Sequence, residues 1–218
     1  MTKLKDMVIS SSYAHKAIKP ELHDSAQTRW EAKEVDDIKI IHDCQDLQNI
    51  KHNGIGTLEV SNTKSIRGKN SLLLTTNTDI EGEVPRPSSA LELTIDKEDW
   101  SNYNRISLWV YPESIGFQNF YFHFNIINDK GKGLLHAPSL TPNVWNHVIW
   151  EMDDFDRHKV IKLGMTPFLM GCPPEALPII KVYFDDIQLQ KVEPDYVEGW
   201  NVDERIAYCH SGYFCNAE

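Results

Sequence analysis

Tyr121, His123 and Asn125 stand at every second position of the run Asn119–Ile127, and Arg105, Trp109 and Tyr111 share one parity in Arg105–Tyr111. Side chains two apart on an extended chain point to the same face. Each run therefore carries a polar and aromatic side opposite an apolar one. If the two strands are neighbours, Arg, Trp, Tyr, His and Asn gather on one surface. Such a surface suits two chemistries. In the first, Arg105 neutralises a sugar-acid carboxylate, Tyr121 or His123 moves the proton beside it, and Asn125 holds the substrate. In the second no bond is broken. The rings of Trp109 and Tyr111 stack on a sugar, and Arg105, Tyr121, His123 and Asn125 hydrogen-bond its hydroxyls. The structural alternative is that the face lies under a loop, a neighbouring strand or another domain.

Other catalytic patterns are missing. The sequence holds no G-x-S-x-G, H-E-x-x-H, P-loop or G-x-G-x-x-G. Its adjacent carboxylates, Asp153-Asp154 and Asp185-Asp186, would point to opposite faces of a strand. They cannot flank one glycosidic bond as a hydrolase pair must. Cys44, Cys172, Cys209 and Cys215 form no CxxC and no zinc spacing. Buried free thiols are the expectation, with a small Cys209–Cys215 loop as the alternative.

The elements that must position these groups are short strands. Ile38–His42, Thr57–Ser61, Ser71–Thr76, Ala90–Ile95, Arg105–Tyr111, Asn119–Ile127, Trp145–Met152 and Ile179–Val192 are β-rich runs. Between them lie turn clusters such as His52-Asn53-Gly54, Arg67-Gly68-Lys69-Asn70, Asp129-Lys130-Gly131 and Thr141-Pro142-Asn143. No long helix-period pattern interrupts the series. The fold class expected is all-β, a two-sheet antiparallel β-sandwich of jelly-roll type. Phe120, Phe122, Phe124, Ile106, Leu108 and Val110, joined by Leu91, Leu93 and Ile95, should lie between the sheets. In Ile179–Val192 the apolar parity switches at Asp185-Asp186, which predicts a β-bulge that turns a carboxylate outward. The segment 154–178, rich in Gly and Pro yet apolar, is expected to fold back over one sheet. If it covers the polar-aromatic face, the binding surface is lost.

Three regions follow from the same walk along the chain. Residues 1–35 read as an irregular N-terminal arm anchored by Trp30, 36–195 as the sandwich, and 196–218 as a linker plus a β-like run, Arg205–Cys209. Of 218 residues, 22 are Lys or Arg and 32 are Asp or Glu, a net charge of −10. That negative field opposes nucleic acid and anionic membrane surfaces as partners. No apolar stretch is long enough to insert into a membrane, and Met1–Lys16 has no secretory apolar core.

The ordered set "IIHDCQDLQNI", "RGKNSLLL", "DWSNYNRISLWVYP", "VWNHVIWEM" and "VYFDDIQLQKV" resembles the galactose-binding-like β-sandwich of carbohydrate-binding modules. More narrowly, it resembles the N-terminal sandwich of large bacterial polysaccharide-degrading enzymes such as glycoside hydrolases. The tail "EGWNVDERIAYCHSGYFCNAE" looks like the first strand of a following domain. The resemblance implies a non-catalytic, carbohydrate-binding accessory domain, with a polysaccharide or oligosaccharide as ligand and the catalytic domain of the same longer chain as partner. It implies a periplasmic or cell-surface location. A structural spacer that packs on the catalytic domain, and a jelly-roll polysaccharide lyase using Tyr121 and His123, remain as alternatives. Calcium-bearing members of this fold carry a motif resembling DFED in the first strand. Asp43-Cys44-Gln45-Asp46 stands there, with Gln45 in place of the Glu. The resemblance then implies a structural calcium held by Gln45, by Asn70 with the backbone near Lys69, and by Asp185.

Overall fold

The computed structural model describes residues 33–54, 56–79, 86–87, 89–113, 119–152, 155–170 and 179–193; side chains at 77–79, 86–87, 89, 119–121 and 168–170 are not described. The readings of Trp30 in the arm, of Cys172, Cys209 and Cys215, and of the run Arg205–Cys209 lie outside these residues.

The strands in chain order are β1 (Val35–His42), β2 (Ile50–Gly54), β3 (Thr57–Ser61), β4 (Ser71–Asp79), β5 (Arg86–Pro87), β6 (Ser89–Glu98) and β7 (Arg105–Glu113). They continue as β8 (Asn119–Asn128), β9 (Gly133–His136), β10 (Ser139–Leu140), β11 (Asn146–Glu151), β12 (Val160–Met170) and β13 (Ile179–Val192). Every pairing is antiparallel. One sheet, here sheet A, runs β11-β7-β13-β4-β3, with β1 also on β13 and β5 on β4. The other, sheet B, runs β10-β8-β12-β6-β2, with β9 also on β8. The fold is an all-β two-sheet antiparallel sandwich.

Alternation decides which side of each strand is buried. From sheet A, Leu72, Leu74, Ile106, Leu108, Val110, Val182 and Phe184 face the interior; from sheet B, Leu91, Leu93, Ile95, Phe122, Phe124, Ile126, Leu163 and Met165 meet them. The Phe122 ring stands edge-on to Phe184 across the two sheets, with centroids 5.5 Å apart, and lies 5.6 Å from Phe124. Each fully buried side chain of this size contributes about 1.5–3 kcal/mol of transfer free energy. The expected core residues are therefore in place, apart from Phe120, whose side chain is not described. Trp100 closes one end of this core, wholly buried, with Nε1 donating to Glu98 Oε2 at 3.1 Å.

Three departures from the sequence reading matter for the site. Within the 154–178 segment, Val160–Met170 does not lie over a sheet but is part of one: it forms β12, registered between β8 and β6 in sheet B. Its Pro167 falls past Met165, where the registration with β6 ends, so the missing N–H breaks no rung of that ladder. Second, His52-Asn53-Gly54 is not a turn but the end of β2, paired with β6. Third, the bulge at Asp185-Asp186 is present as a register shift between Asp185 and Gln188, and Asp186 adopts φ 52°. It turns neither carboxylate to solvent. Both are buried.

Candidate functional site

The two strands that carry the predicted site residues are not neighbours. β7 belongs to sheet A and β8 to sheet B. Both present their apolar side to the shared core, so their polar sides face away from each other, on opposite outer surfaces. Arg105, Trp109 and Tyr111 lie on one surface, and His123 and Asn125 on the other. Tyr121 is in β8, registered with Phe168 and Ser139, and its side chain is not described. The structure does not bring the six together. The arrangement needed for proton abstraction, with Arg105 beside Tyr121 and His123, is lost with them.

The outer side of sheet A is closely packed. Arg105 is 2% exposed, and its Nε donates to Gln190 Oε1 at 2.8 Å. Gln190 Nε2 donates in turn to Gln188 Oε1 at 3.2 Å. Ser107, Gln188, Gln190 and Ile149 around it are also buried. Arg105 is thus part of a buried polar lattice rather than a surface donor. Further along the same side, the half-buried Trp109 stacks on His147, with centroids 4.5 Å apart and planes 12° apart. His147 Nε2 lies 2.8 Å from Ser107 Oγ. Tyr111 meets Trp145 and Tyr183 edge-on at 5.6 and 5.9 Å. Lys64 Nζ sits 4.7 Å from the Tyr111 centroid and 5.7 Å from that of Tyr183, a cation held on two ring faces. Burial, then the neighbouring Glu113 and Tyr111, push the Tyr183 hydroxyl above its usual pKa. The aromatic rings here are engaged with one another, and one face of Trp109 is already taken by His147.

The outer side of sheet B is different. Register places one row across it: Leu135 of β9 opposite Asn125 of β8, Asn125 opposite Gly164 of β12, Gly164 opposite Glu92 of β6, and Glu92 opposite Lys51 of β2. The centre of that row has no side chain. The result is a trough of about 250 Å³ floored by β6, β12 and β8 and lined by Ala90, Glu92, His123, Asn125, Lys162 and Thr166, among others. Lys162 Nζ donates to Glu92 Oε2 at 3.0 Å, and this ion pair forms one wall. His123 registers with Thr166 beside it. Leu135, 58% exposed, forms the apolar rim. A second glycine shapes the wall. A Cβ at Gly133 would lie 2.8 Å from Asn125 Oδ1, so Gly133 leaves the room that the Asn125 amide occupies. Chemically the trough offers an amide, an imidazole, a hydroxyl, an ammonium and a carboxylate: paired donors and acceptors suited to a polyol. Glu92 is the single carboxylate among the described lining residues. Of these groups the sequence pointed to His123 and Asn125. It missed Glu92, whose signal was the alternation Leu91-Glu92-Leu93, and Lys162, Gly164 and Thr166, whose signal was the alternation Lys162-Leu163-Gly164-Met165-Thr166.

The expected metal ligands lie elsewhere, where the 64–70 loop meets the chain after β1. Gln45 Oε1 accepts the N–H groups of Lys69 and Asn70 at 3.2 and 3.1 Å. Asp185 Oδ2 accepts those of Ile66 and Arg67 at 2.7 and 3.0 Å. Asp185 Oδ1 is buried and has no hydrogen-bond partner among the described residues, and burial pushes this carboxyl above its ordinary pKa. The atoms around Gln45 Oε1 and Asp185 Oδ2 are N–H donors, where a hard cation would need oxygen. Among the described residues no cluster of three or more His, Cys, Asp or Glu could hold a metal.

No family model matches the chain, and a comparison with curated proteins gives no match. Among solved structures, the chain is similar to a family 11 carbohydrate-binding module from Clostridium thermocellum in complex with a β-1,3-1,4-mixed-linked tetrasaccharide. The identity is 13% and the TM-score 0.47, over 71% of this chain and 96% of that one. It is also similar to the CBM22-1 xylan-binding domain of a Paenibacillus barcinonensis protein, at 12% identity and TM-score 0.44, over 75% and 97% of the two chains. An exo-β-agarase matches at 13% identity and TM-score 0.49, over 72% of this chain and 25% of its own. Similarity at these values assigns no role to any residue of this chain.

Proposed function

We propose that this chain is a non-catalytic carbohydrate-binding domain whose ligand, an oligosaccharide or a segment of polysaccharide, lies in the trough on sheet B. The supporting observation is the row Leu135–Asn125–Gly164–Glu92–Lys51, in which a glycine between two polar side chains opens a shallow depression on an otherwise filled sheet. Asn125, His123, Thr166 and the Lys162–Glu92 pair supply the hydrogen bonds. Among the described lining residues the single carboxylate, Glu92, is held by Lys162, whereas glycoside hydrolysis uses a pair, which supports binding without cleavage. Its 250 Å³ falls short of ordinary small-molecule pockets. Affinity for one site is accordingly weak, of the order of 0.1 mM. The setting that goes with this reading is a polysaccharide-degrading enzyme of the periplasm or cell surface, its catalytic domain lying in the same longer chain. Among the described residues no helix is long and apolar enough to cross a membrane.

Gly164→Leu is the decisive variant. A Cβ at position 164 would meet only Asn125 O at 3.7 Å and Asn125 Cβ at 4.0 Å, ordinary contact distances. A leucine therefore fits the strand and fills the trough. A glycan array followed by calorimetry should show wild-type binding that Gly164→Leu abolishes at unchanged melting temperature, while Trp109→Ala keeps it. Binding that survives Gly164→Leu but vanishes in Trp109→Ala would move the site to sheet A. No binding to any plant, host or algal glycan would leave the structural-spacer role.

A further inference from the structure

Where the segment after β1 meets the 64–70 loop, three main-chain carbonyls converge on one side-chain nitrogen. Gln45 Nε2 donates to Asp43 O at 3.0 Å, Asn70 O at 3.0 Å and, more weakly, Arg67 O at 3.4 Å. The other end of the same amide accepts from the Lys69 and Asn70 N–H groups. Carbonyls on one side and N–H groups on the other leave one orientation of the amide consistent with its surroundings. Backbone oxygens from two segments more than twenty residues apart, gathered around one centre, are the arrangement a hard cation would ordinarily hold. Here the electropositive end of an amide occupies that centre. The turn is shaped to admit it. Gly68 has φ +73°, and a Cβ there would come within 2.8–2.9 Å of the Gln45 amide atoms. Gln45 therefore lies flush on the loop, bonded to it through both ends. Asn70 adds Nδ2 to Gln45 O at 3.5 Å. Asp185 fastens the other side of the loop through Ile66 N and Arg67 N, and Arg67 Nη1 reaches Asp186 Oδ1 at 3.1 Å.

We propose that the Gln45 amide replaces a divalent cation as the clasp between the 43–46 segment and the 66–70 loop, so that the fold is independent of calcium and one substitution, Gln45→Glu, would turn the clasp into a calcium site. The carbonyls of Asp43, Arg67 and Asn70 would then face a carboxylate where they now face an amide N–H. The like-sign oxygens would repel until a cation came between them.

The test is thermal unfolding of the full chain in millimolar calcium and in EGTA, with calcium calorimetry alongside. Wild type should melt at the same temperature in both and take up no calcium. Gln45→Glu should melt below wild type in EGTA and recover about 5–10 °C on adding calcium, as expected for a site filled well above its Kd. A variant that folds only when calcium is present supports the proposal equally. Gln45→Met, which keeps the stem and removes both ends of the clasp, should lose melting temperature to the same extent in either buffer. Wild type gaining melting temperature or binding heat with calcium would overturn the proposal, as would a folded Gln45→Glu indifferent to calcium. Should Gln45→Glu fold in neither buffer, the wild-type titration and Gln45→Met decide: a calcium-dependent wild type, or a Gln45→Met as stable as wild type, refutes the clasp. Glycan binding enters none of these readings, so they stand or fall apart from the trough.

Discussion

Replacing Arg105 by alanine separates a ligand contact from a structural residue. Arg105 is 2% exposed and its Nε–Gln190 Oε1 bond is 2.8 Å. A hydrogen bond to a charged group contributes about 1.5–3 kcal/mol, and the Gln190 oxygen left behind in a buried setting costs about 1–3 more. The lost stem adds roughly 0.8 kcal/mol per methylene. These terms overlap, so together they come to about 3–5 kcal/mol rather than to their full sum. We therefore expect Arg105→Ala to lose about 4 kcal/mol, which for a domain of this size lowers the melting temperature by roughly 8–16 °C. Arg105→Met, which keeps the stem, should recover part of that loss and so separate packing from hydrogen bonding. Urea unfolding followed by far-ultraviolet circular dichroism measures both. A loss below about 1 kcal/mol would refute the buried-lattice argument. If such a stable variant also lost glycan binding, Arg105 would return to the role its place in the sequence suggested.

Two further outcomes follow from groups near the trough and its edge. His136 stacks on Trp150 at 4.9 Å, and burial holds its imidazole below the ordinary value of 6.5. The unfolded chain takes up that proton more readily than the folded one, so stability should fall as the pH drops below about 6.5 and be complete above it. His136→Phe keeps a stacked ring without the titration and should flatten the slope between about pH 7 and pH 5; parallel slopes in the two proteins would refute this. Gly133→Ala pushes a methyl to within 2.8 Å of Asn125 Oδ1, a side-chain atom that can swing aside. Stability should change by less than about 0.5 kcal/mol while glycan affinity falls about 3–10-fold, the value of one hydrogen bond. Calorimetry showing unchanged affinity would remove Asn125 from the site.

The strands that were legible were those whose apolar residues alternate without interruption. Ile106-Leu108-Val110 and Phe122-Phe124-Ile126 declare both strand and buried side, and the structure buries all six. β12 was hidden by its own site-forming residue. Gly164 and Pro167 are turn residues by composition, yet Gly164 sits mid-strand, where its missing side chain leaves the trough, and Pro167 sits beyond the registration with β6. β2 was hidden in the same way by His52-Asn53-Gly54, which end a strand on β6.

Parity states which side of its own strand a residue occupies, but not which sheet the strand joins. Arg105 and His123 each stand opposite the core, and a sandwich has two such outer sides. Partition between sheets is set by pairings far apart in sequence, β7 with β11 and β13, β8 with β12. No local pattern in β7 or β8 reports them. The consequence for function is a division of labour between side chains of similar type. On sheet A the long polar and aromatic groups have neighbours long enough to meet them: Gln190 for Arg105, His147 for Trp109, Lys64 for Tyr111. That side fills itself. On sheet B, Asn125 and Glu92 flank a glycine, and among the described residues no side chain fills the gap above Gly164. The rings that made the first surface look like a sugar platform are the reason it is closed, and the residue that made β12 look like a loop is the reason the second surface is open.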